Sequence, residues 1–341
     1  MPSPYLTGVF DGIKANQAII ETSRGCPFSC AYCFWGKGTN RVKFHSMEYV
    51  KAEAEWMGIN KIPYVFCADA NFGMFPRDVE IAKIYADVKR RYGYPEKFRV
   101  CYGKNSEETV FETALVLAEA GLSKSVTLSP QSRNPKTLNL IGRENIKDEF
   151  FDRMQKRYEA AGIPVYSELI LGLPGETLES FKEGVCRTIA SGNQLFIYTC
   201  ECLPGTKLAE DSYRIQHGIK TCRLPLTPVH CRPTDTTEYE DIVIETKTMS
   251  NLEWQEALIF GWTSQLIHSF KVDAKIDEDV MAYFKRKAWK MTRGHTRCDL
   301  INGIYFEPEE VAYLRWFASI GSDPVKQVIY ARKNNFKKEA K

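Results

Sequence analysis

The feature that most restricts how this chain can fold is an alternation repeated before residue 205: a short apolar run, then a helical pattern of ten or more residues. Candidate strands lie at 16–22, 62–69, 98–102, 125–129, 165–171 and 195–200, and candidate helices at 46–57, 76–92, 106–120, 147–161 and 177–190. The helix at 106–120 opens on Ser106-Glu107-Glu108-Thr109 and stops at Gly121, while the one at 147–161 stops at Gly162. Both endings suit glycine as a helix terminator. Strands separated by whole helices cannot pair as hairpins, so parallel pairing through crossovers is expected. The expected class is α/β, a partial (β/α)6 TIM-type barrel over residues 1–205, and pattern alone also admits an open doubly wound sheet. Either way, ligands gather at the C-terminal ends of the strands. The polar and glycine-rich segments sit at those ends: a cysteine loop, Asp69-Ala70-Asn71-Phe72-Gly73, Ser129-Pro130-Gln131-Ser132 and Gly172-Leu173-Pro174-Gly175-Glu176.

Past residue 206 the rhythm is lost. Leu224-Pro225-Leu226-Thr227-Pro228 and the Thr-rich stretch at 234–237 read as irregular loop, and 249–271 and 278–292 as helices. Residues 206–341 are thus expected to form a mostly helical substrate or accessory region. A net charge of +3 without a basic stripe gives no case for nucleic acid or an anionic membrane. The basic run at 332–338 reads as a solvated terminus. No run of roughly 18 apolar residues occurs and the N-terminus does not resemble a signal peptide, so a cytoplasmic location is expected. In that reducing setting the eleven cysteines are better read as metal-binding or free thiols than as disulfides.

Three of those cysteines share one short loop, Cys26-Pro27-Phe28-Ser29-Cys30-Ala31-Tyr32-Cys33, directly after the first candidate strand. A C-x3-C-x2-C loop can wrap three corners of a cubane iron–sulfur cluster and leave the fourth iron without a protein ligand. Such clusters normally take four thiolates, so the vacant iron is a binding position. Zinc is the competing reading, but zinc sites favour four ligands built from paired knuckles, and no second pair stands nearby. Gly25, Gly36 and Gly38 would let the backbone wrap tightly.

The spacing and position of this loop resemble the radical S-adenosylmethionine (SAM) superfamily. The resemblance implies a [4Fe–4S] cluster on Cys26, Cys30 and Cys33, whose open iron chelates the methionine end of SAM. Cluster potentials extend down to about −700 mV, which suits one-electron cleavage of SAM to a 5′-deoxyadenosyl radical that removes hydrogen from a substrate. By the same resemblance Tyr32 lies beside the adenine and Asp69 accepts a hydrogen bond from the cofactor's ammonium. An Asx turn closing the second strand is the plainer reading of Asp69. The resemblance also implies that Ser129 and Gln131 touch ribose and carboxylate, that Arg143 partners the carboxylate, that Glu168 meets a ribose hydroxyl, and that Ile170 and Gly172 contact the adenine. A surface salt bridge is the alternative for Arg143.

The likeness is closest to the cobalamin-binding subgroup. It is carried by Pro2-Ser3-Pro4-Tyr5-Leu6-Thr7-Gly8-Val9-Phe10-Asp11, Arg24-Gly25-Cys26-Pro27-Phe28-Ser29-Cys30, the 69–73 and 170–176 segments, and Tyr239-Glu240-Asp241-Ile242-Val243. Many members methylate carbon or phosphorus through methylcobalamin. They carry a cobalamin-binding domain before the Ser-Pro-Tyr-Leu-Thr-Gly segment, where this sequence starts at Met1, and Phe34 stands where the subgroup commonly has an acidic residue. The expectation is therefore a radical enzyme without its own cobalamin domain, acting on a substrate the sequence does not identify. The alternatives are a methyltransferase working with a separate cobalamin-binding protein, and a non-catalytic iron–sulfur protein. A flavodoxin- or ferredoxin-type reductant is implied by the chemistry.

Cys200 and Cys202 flank Glu201 at the end of the sixth strand, on one face by alternation. With Cys222, Cys231 and Cys298 they read as buried structural thiols, an auxiliary cluster or a hydrogen-atom donor at Cys200 being the sharper options. Cys67, Cys101 and Cys186 read as core. His217, His230, His268 and His295 read as structural or surface residues, and Trp254, Trp262 and Trp289 as packing for C-terminal helices.

Overall fold

A computed structural model of the protein describes residues 2–35, 41–103, 106–123, 125–143, 148–226 and 238–269. In chain order the elements are β1 (Gln17–Ile20), β2 (Ser23–Arg24), β3 (Lys43–Phe44), α1 (Met47–Ile59), β4 (Tyr64–Phe72), α2 (Pro76–Tyr92) and β5 (Lys97–Tyr102). There follow α3 (Glu107–Glu119), β6 (Val126–Thr127), α4 (Pro135–Leu140), α5 (Asp148–Ala160), β7 (Val165–Leu171), α6 (Leu178–Ala190) and β8 (Gln194–Thr199). The last are α7 (Asp211–His217), β9 (Lys220–Leu226), β10 (Glu238–Glu245) and α8 (Asn251–Ser269). The chain divides into two compact units, Met1–Pro130 with Glu144–Ser167, and Gln131–Arg143 with Glu168–Lys341. The helix expected at 278–292 lies outside the described residues.

In the first unit β1, β4 and β5 pair in parallel, in the order β1-β4-β5. Ala18 and Ile20 stand opposite Val65 and Cys67, which stand opposite Phe98 and Val100. Period-two alternation puts all six on one face, and that face is buried. They share one core with Val50, Ala54 and Met57 of α1, Ile81, Ala82 and Tyr85 of α2, and Ala114 and Leu117 of α3. The Tyr85 ring stacks on Phe98 at 4.0 Å; burying an aromatic side chain of this size contributes roughly 1.5–3 kcal/mol. Cys67 is in this core as expected, but Cys101 is exposed. On β5 it falls on the face opposite Val100 and Tyr102, so the same alternation that buries them turns it outward.

Local signals start and stop these helices. The Ser46 hydroxyl accepts from Tyr49 N–H at the start of α1. α2 has proline in its first turn, and Asp78 accepts from the N–H groups of Gly73 (2.9 Å) and Phe75 (3.0 Å). Gly93, with φ of +77°, ends it. The lead-in segment has a structural role of its own. Tyr5 Oη donates to Ile19 C=O (2.6 Å) and accepts from Ile19 N–H (3.0 Å), pairing with the free edge of β1. Ser3 Oγ donates to the buried Glu53 of α1.

In the second unit Leu169, Leu171, Phe181, Val185, Leu195 and Ile197 form a core with Ile242, Trp254, Ala257 and Leu258. α8 can approach β8 because it carries Gly261 there: a Cβ would stand 2.6 Å from Ile197 Cδ1. β9 and β10 form an antiparallel pair, with Cys222 opposite Ile242 and Leu224 opposite Glu240. Residues 224–226 thus belong to a strand rather than to the loop that Pro225 suggested. A proline is tolerated where its ring needs no ladder donor.

The fourth strand is shorter than expected, only Val126–Thr127, paired with Val165–Tyr166. Among the described residues no helix is long and apolar enough to cross a membrane.

Candidate functional site

The cysteine loop leaves and re-enters the first unit through a clasp. β2 and β3 pair antiparallel, Ser23 opposite Phe44 and Arg24 opposite Lys43, and His45 N–H donates to Thr22 C=O at 3.0 Å. Gly25, the first residue past the clasp, has φ of +104°, and a Cβ there would lie 2.3 Å from Arg41 C=O. Only glycine fits. The far strand is held by Phe44, whose ring meets Phe75 edge-on at 4.9 Å. The Arg77 guanidinium lies 4.8 Å from the Phe44 ring centre and donates to His45 C=O at 2.7 Å.

Within the loop Cys26 is buried and Cys30 and Cys33 are half-buried, with Cys33 N–H donating to Cys30 C=O at 3.0 Å. Tyr32 is half-buried between the last two cysteines, while Phe34 and Trp35 are exposed. Gly36 and Gly38 lie outside the described residues. Among the described residues no three His, Cys, Asp or Glu side chains converge where a single ion would sit. A cubane distributes its thiolates over separate irons and needs no such point. The donor set suits that group: three thiols on one short loop, partly shielded from water, the most buried one already accepting an amide N–H.

That amide is Asn71. Its Nδ2 donates to Cys26 Sγ at 3.1 Å from the end of β4. Nothing in the sequence pattern marks it beyond its place at a strand end.

Asp69, two residues earlier, is 1% exposed. Its Oδ1 accepts from the N–H groups of Thr22 (2.7 Å) and Ser23 (3.1 Å). Its Oδ2 accepts from the hydroxyls of Thr22 and, at 2.9 Å, Ser23. A carboxylate has about four acceptor positions, and these four donors take them. Here the carboxylate ties β4 to the residues that launch the cysteine loop. A cofactor ammonium, the partner expected from resemblance, would have to displace one of these bonds. Ser129, 6% exposed, follows β6 in the same unit.

The second unit brings Gln131, Glu168 and Ile170 together. Gln131 N–H donates to Glu168 C=O (3.0 Å) and Ile170 N–H to Gln131 C=O (2.8 Å), continuing parallel pairing beside β7. Gln131 Nε2 donates to Glu168 Oε2 at 3.4 Å. Gln131 holds φ of +65°, a left-handed conformation uncommon for a residue with a side chain. Arg143 is 5% exposed, so it is not on the surface, and its N–H donates to Leu138 C=O where α4 ends.

α4 itself was not expected; its signal was Asn134 before Pro135. Asn134 Oδ1 accepts from Lys136 N–H at 3.0 Å.

Gly172 has φ of +98°, and a Cβ there would meet Val243 C=O at 3.0 Å. Glu176, 2% exposed, accepts from the hydroxyls of Ser132 and Ser180. Burial pushes its pKa up, and these hydrogen bonds oppose the shift.

Cys200 and Cys202 are buried beside β10, where Cys202 N–H donates to Asp241 C=O at 2.8 Å. Burial raises the pKa of both thiols, which keeps them protonated. Cys186, expected in the core, is exposed on α6. Cys222 is half-buried, and His217 lies beside the Tyr213 ring at 4.3 Å. Trp254 is buried against the second core. Cys231, Cys298, His230, His295 and Trp289, and the side chains of His268 and Trp262, lie outside the described residues.

Residues 20–185 match the model of the radical SAM superfamily. The chain is 37% identical over 280 residues to a 2-(S-pantetheinyl)-carbapenam-3-carboxylate methyltransferase of Streptantibioticus cattleyicolor. It is 36% identical, over the same length, to the cobalamin-dependent radical SAM methyltransferase TokK of Streptomyces tokunonensis. Each alignment covers 79% of this chain and 41% of the relative, so the chain spans about two fifths of those proteins. In fold it is similar to the radical SAM methyltransferase TsrM of Kitasatospora setae, with a TM-score of 0.57 at 16% identity over 96% of this chain and 63% of that one. TsrM places the α/β architecture among the TIM-type partial barrels of radical SAM proteins. Residues 20–185 of this chain are accordingly a radical SAM domain, the module that carries a [4Fe–4S] cluster and SAM.

Proposed function

We propose that this chain is the radical SAM portion of a methylating enzyme that uses methylcobalamin as its methyl carrier. One observation carries the reading: the 280-residue alignment to a carbapenam methyltransferase is longer than the 166-residue superfamily match. The likeness therefore extends into the region where members of a superfamily diverge. It favours methyl transfer over the radical reaction without cobalamin that the sequence reading preferred.

In this reading Cys26, Cys30 and Cys33 hold the [4Fe–4S] cluster, which when reduced supplies the electron that cleaves SAM to a 5′-deoxyadenosyl radical. Tyr32, Ser129, Gln131, Arg143, Glu168 and Ile170 bind SAM, and Asp69 sets the path of the loop. A buried guanidinium such as Arg143 suits a carboxylate because its fork presents paired donors. A flavodoxin- or ferredoxin-type protein delivers the electron. Residues 1–205 form the (β/α)6 core, and 206–341 a substrate or accessory region that includes α8.

The test is anaerobic reconstitution with iron and sulfide, then dithionite, SAM and a corrinoid. The reading expects about four irons per chain, formation of 5′-deoxyadenosine, and saturable corrinoid binding by equilibrium dialysis, by the chain alone or together with a cobalamin-binding protein. Alanine at Cys26, Cys30 or Cys33 should abolish cluster assembly while leaving the circular dichroism spectrum in place. A full cluster that yields no 5′-deoxyadenosine defeats the radical reading. 5′-Deoxyadenosine with no corrinoid bound, either by the chain alone or together with a cobalamin-binding protein, defeats only the methylating part.

A further inference from the structure

We infer that Asn71 is a positioning residue for the cluster, raising its reduction potential through the hydrogen bond from its side-chain amide to the Cys26 sulfur. The inference rests on Cys26 being a cluster ligand, as proposed above.

The geometry is specific. Asn71 Nδ2 lies 3.1 Å from Cys26 Sγ, within hydrogen-bond reach of a sulfur acceptor, and Cys26 is the most buried of the three loop cysteines. A ligating thiolate has no proton to give. Of the two ends of the amide, only the nitrogen can face it.

Asn71 is held from both sides. Its backbone C=O accepts from Met74 N–H at 3.2 Å. Gly103, at the end of the neighbouring β5, fits against that carbonyl, with a Cβ there only 3.2 Å from the oxygen. The loop side is fixed by the β2–β3 clasp and by Asp69. Donor and acceptor are thus presented by two anchored segments of one compact unit, rather than by a mobile side chain meeting a mobile loop.

The physical effect follows from charge. One-electron reduction adds negative charge that the ligand sulfurs share. An N–H dipole aimed at a sulfur therefore stabilises the reduced form more than the oxidised form, and hydrogen bonds to the sulfurs are one of the protein's levers on cluster potential. Reductive cleavage of SAM needs a cluster that is strongly reducing yet still within reach of a protein reductant. One directed N–H on one of three ligands is a means of setting that balance.

The experiment compares the reconstituted wild-type chain with Asn71→Leu, which keeps the size and removes the donor, and with Asn71→Asp, which replaces the donor by a charged acceptor. Iron and sulfide are assayed first. The midpoint potential is then followed by electron paramagnetic resonance during dithionite titration. N71L should retain full iron and sulfide and shift to a more negative potential. A tenfold loss in the reduction equilibrium is expected, which is 59 mV for a one-electron couple. N71D should shift further in the same direction. Should a variant become too reducing to titrate, resonance Raman of its oxidised cluster should show the iron–cysteine stretch move up as the sulfur loses its partner.

An unchanged potential and unchanged stretch in N71L overturns the inference. So does loss of the cluster in both variants, because a residue that only tunes the potential leaves assembly intact. If the wild-type chain itself takes up no cluster, the proposed function fails instead, before the variants are reached.

Discussion

Asp69→Asn separates two roles for one carboxylate. Four donors meet Asp69, two backbone N–H groups on one oxygen and two hydroxyls on the other, at a residue that is 1% exposed. Asparagine keeps the shape but turns one oxygen into an NH2 group and removes the charge. The two hydroxyls can rotate to accept from it, and the two N–H groups keep a neutral oxygen. Hydrogen bonds to a charged group are worth about 1.5–3 kcal/mol and neutral ones about 0.5–1.5 kcal/mol. Weakening all four therefore costs several kcal/mol, offset in part because a buried charge no longer has to be desolvated. A net loss of about 2–3 kcal/mol is expected, against a typical total of roughly 5–15 kcal/mol. In urea, where the slope is about 1–3 kcal/mol per molar, the midpoint should fall by about 1 M or more. The assay is urea unfolding of the cluster-free chain followed by circular dichroism, with iron content after reconstitution measured in parallel. Asp69→Asn should lower both. If the carboxylate served only a cofactor ammonium, the variant would bind SAM more weakly while midpoint and iron content stayed at wild-type values. That result would refute the anchoring role.

Gly25→Ala should fail to take up iron, because the new Cβ would stand 2.3 Å from Arg41 C=O at a positive φ; iron content against a matched wild-type preparation checks it. A pH dependence follows from Asp78, whose pKa burial pushes up to about 6, the N–H groups of Phe75 and Gly73 opposing the shift. Between the unfolded carboxyl value near 4 and about 6, the folded chain holds a proton that the unfolded chain releases. Stability from this group is therefore largest at low pH, falls by about 1.4 kcal/mol per pH unit across that window, and is level above it. Urea midpoints from pH 4 to 7 should show that decline in the wild type and a flatter profile in Asp78→Asn; identical profiles would count against it.

Much of the framework was legible because it follows from local rules. Alternating apolar runs and helix patterns locate β4, β5, β7 and β8 and the helices α2, α3 and α6. The cysteine spacing marks the loop without any structure, since three thiolates on one short segment are a local property of the chain. The face of Cys101 was legible too, by counting alternation from Val100, a step the reading of it as core left out. α4 had a signal in Asn134-Pro135 that six residues of helix made easy to pass over.

Other features belong to tertiary structure. The β2–β3 clasp joins residues about twenty apart through only two residue pairs, too short to leave a hydrophobic period. The strand pair β9–β10 spans Pro225, and its partner choice depends on what lies across from it rather than on propensity. Asp69 and Asn71 are the sharpest case. In sequence they are two polar residues at the end of a strand, about equally fit to meet a ligand or to close a turn. The fold sets one against Thr22 and Ser23 and the other against Cys26, some 45 positions away. What a side chain does depends on which donor or acceptor stands within about 3 Å of it, and for residues so far apart in the chain only the folded backbone decides that.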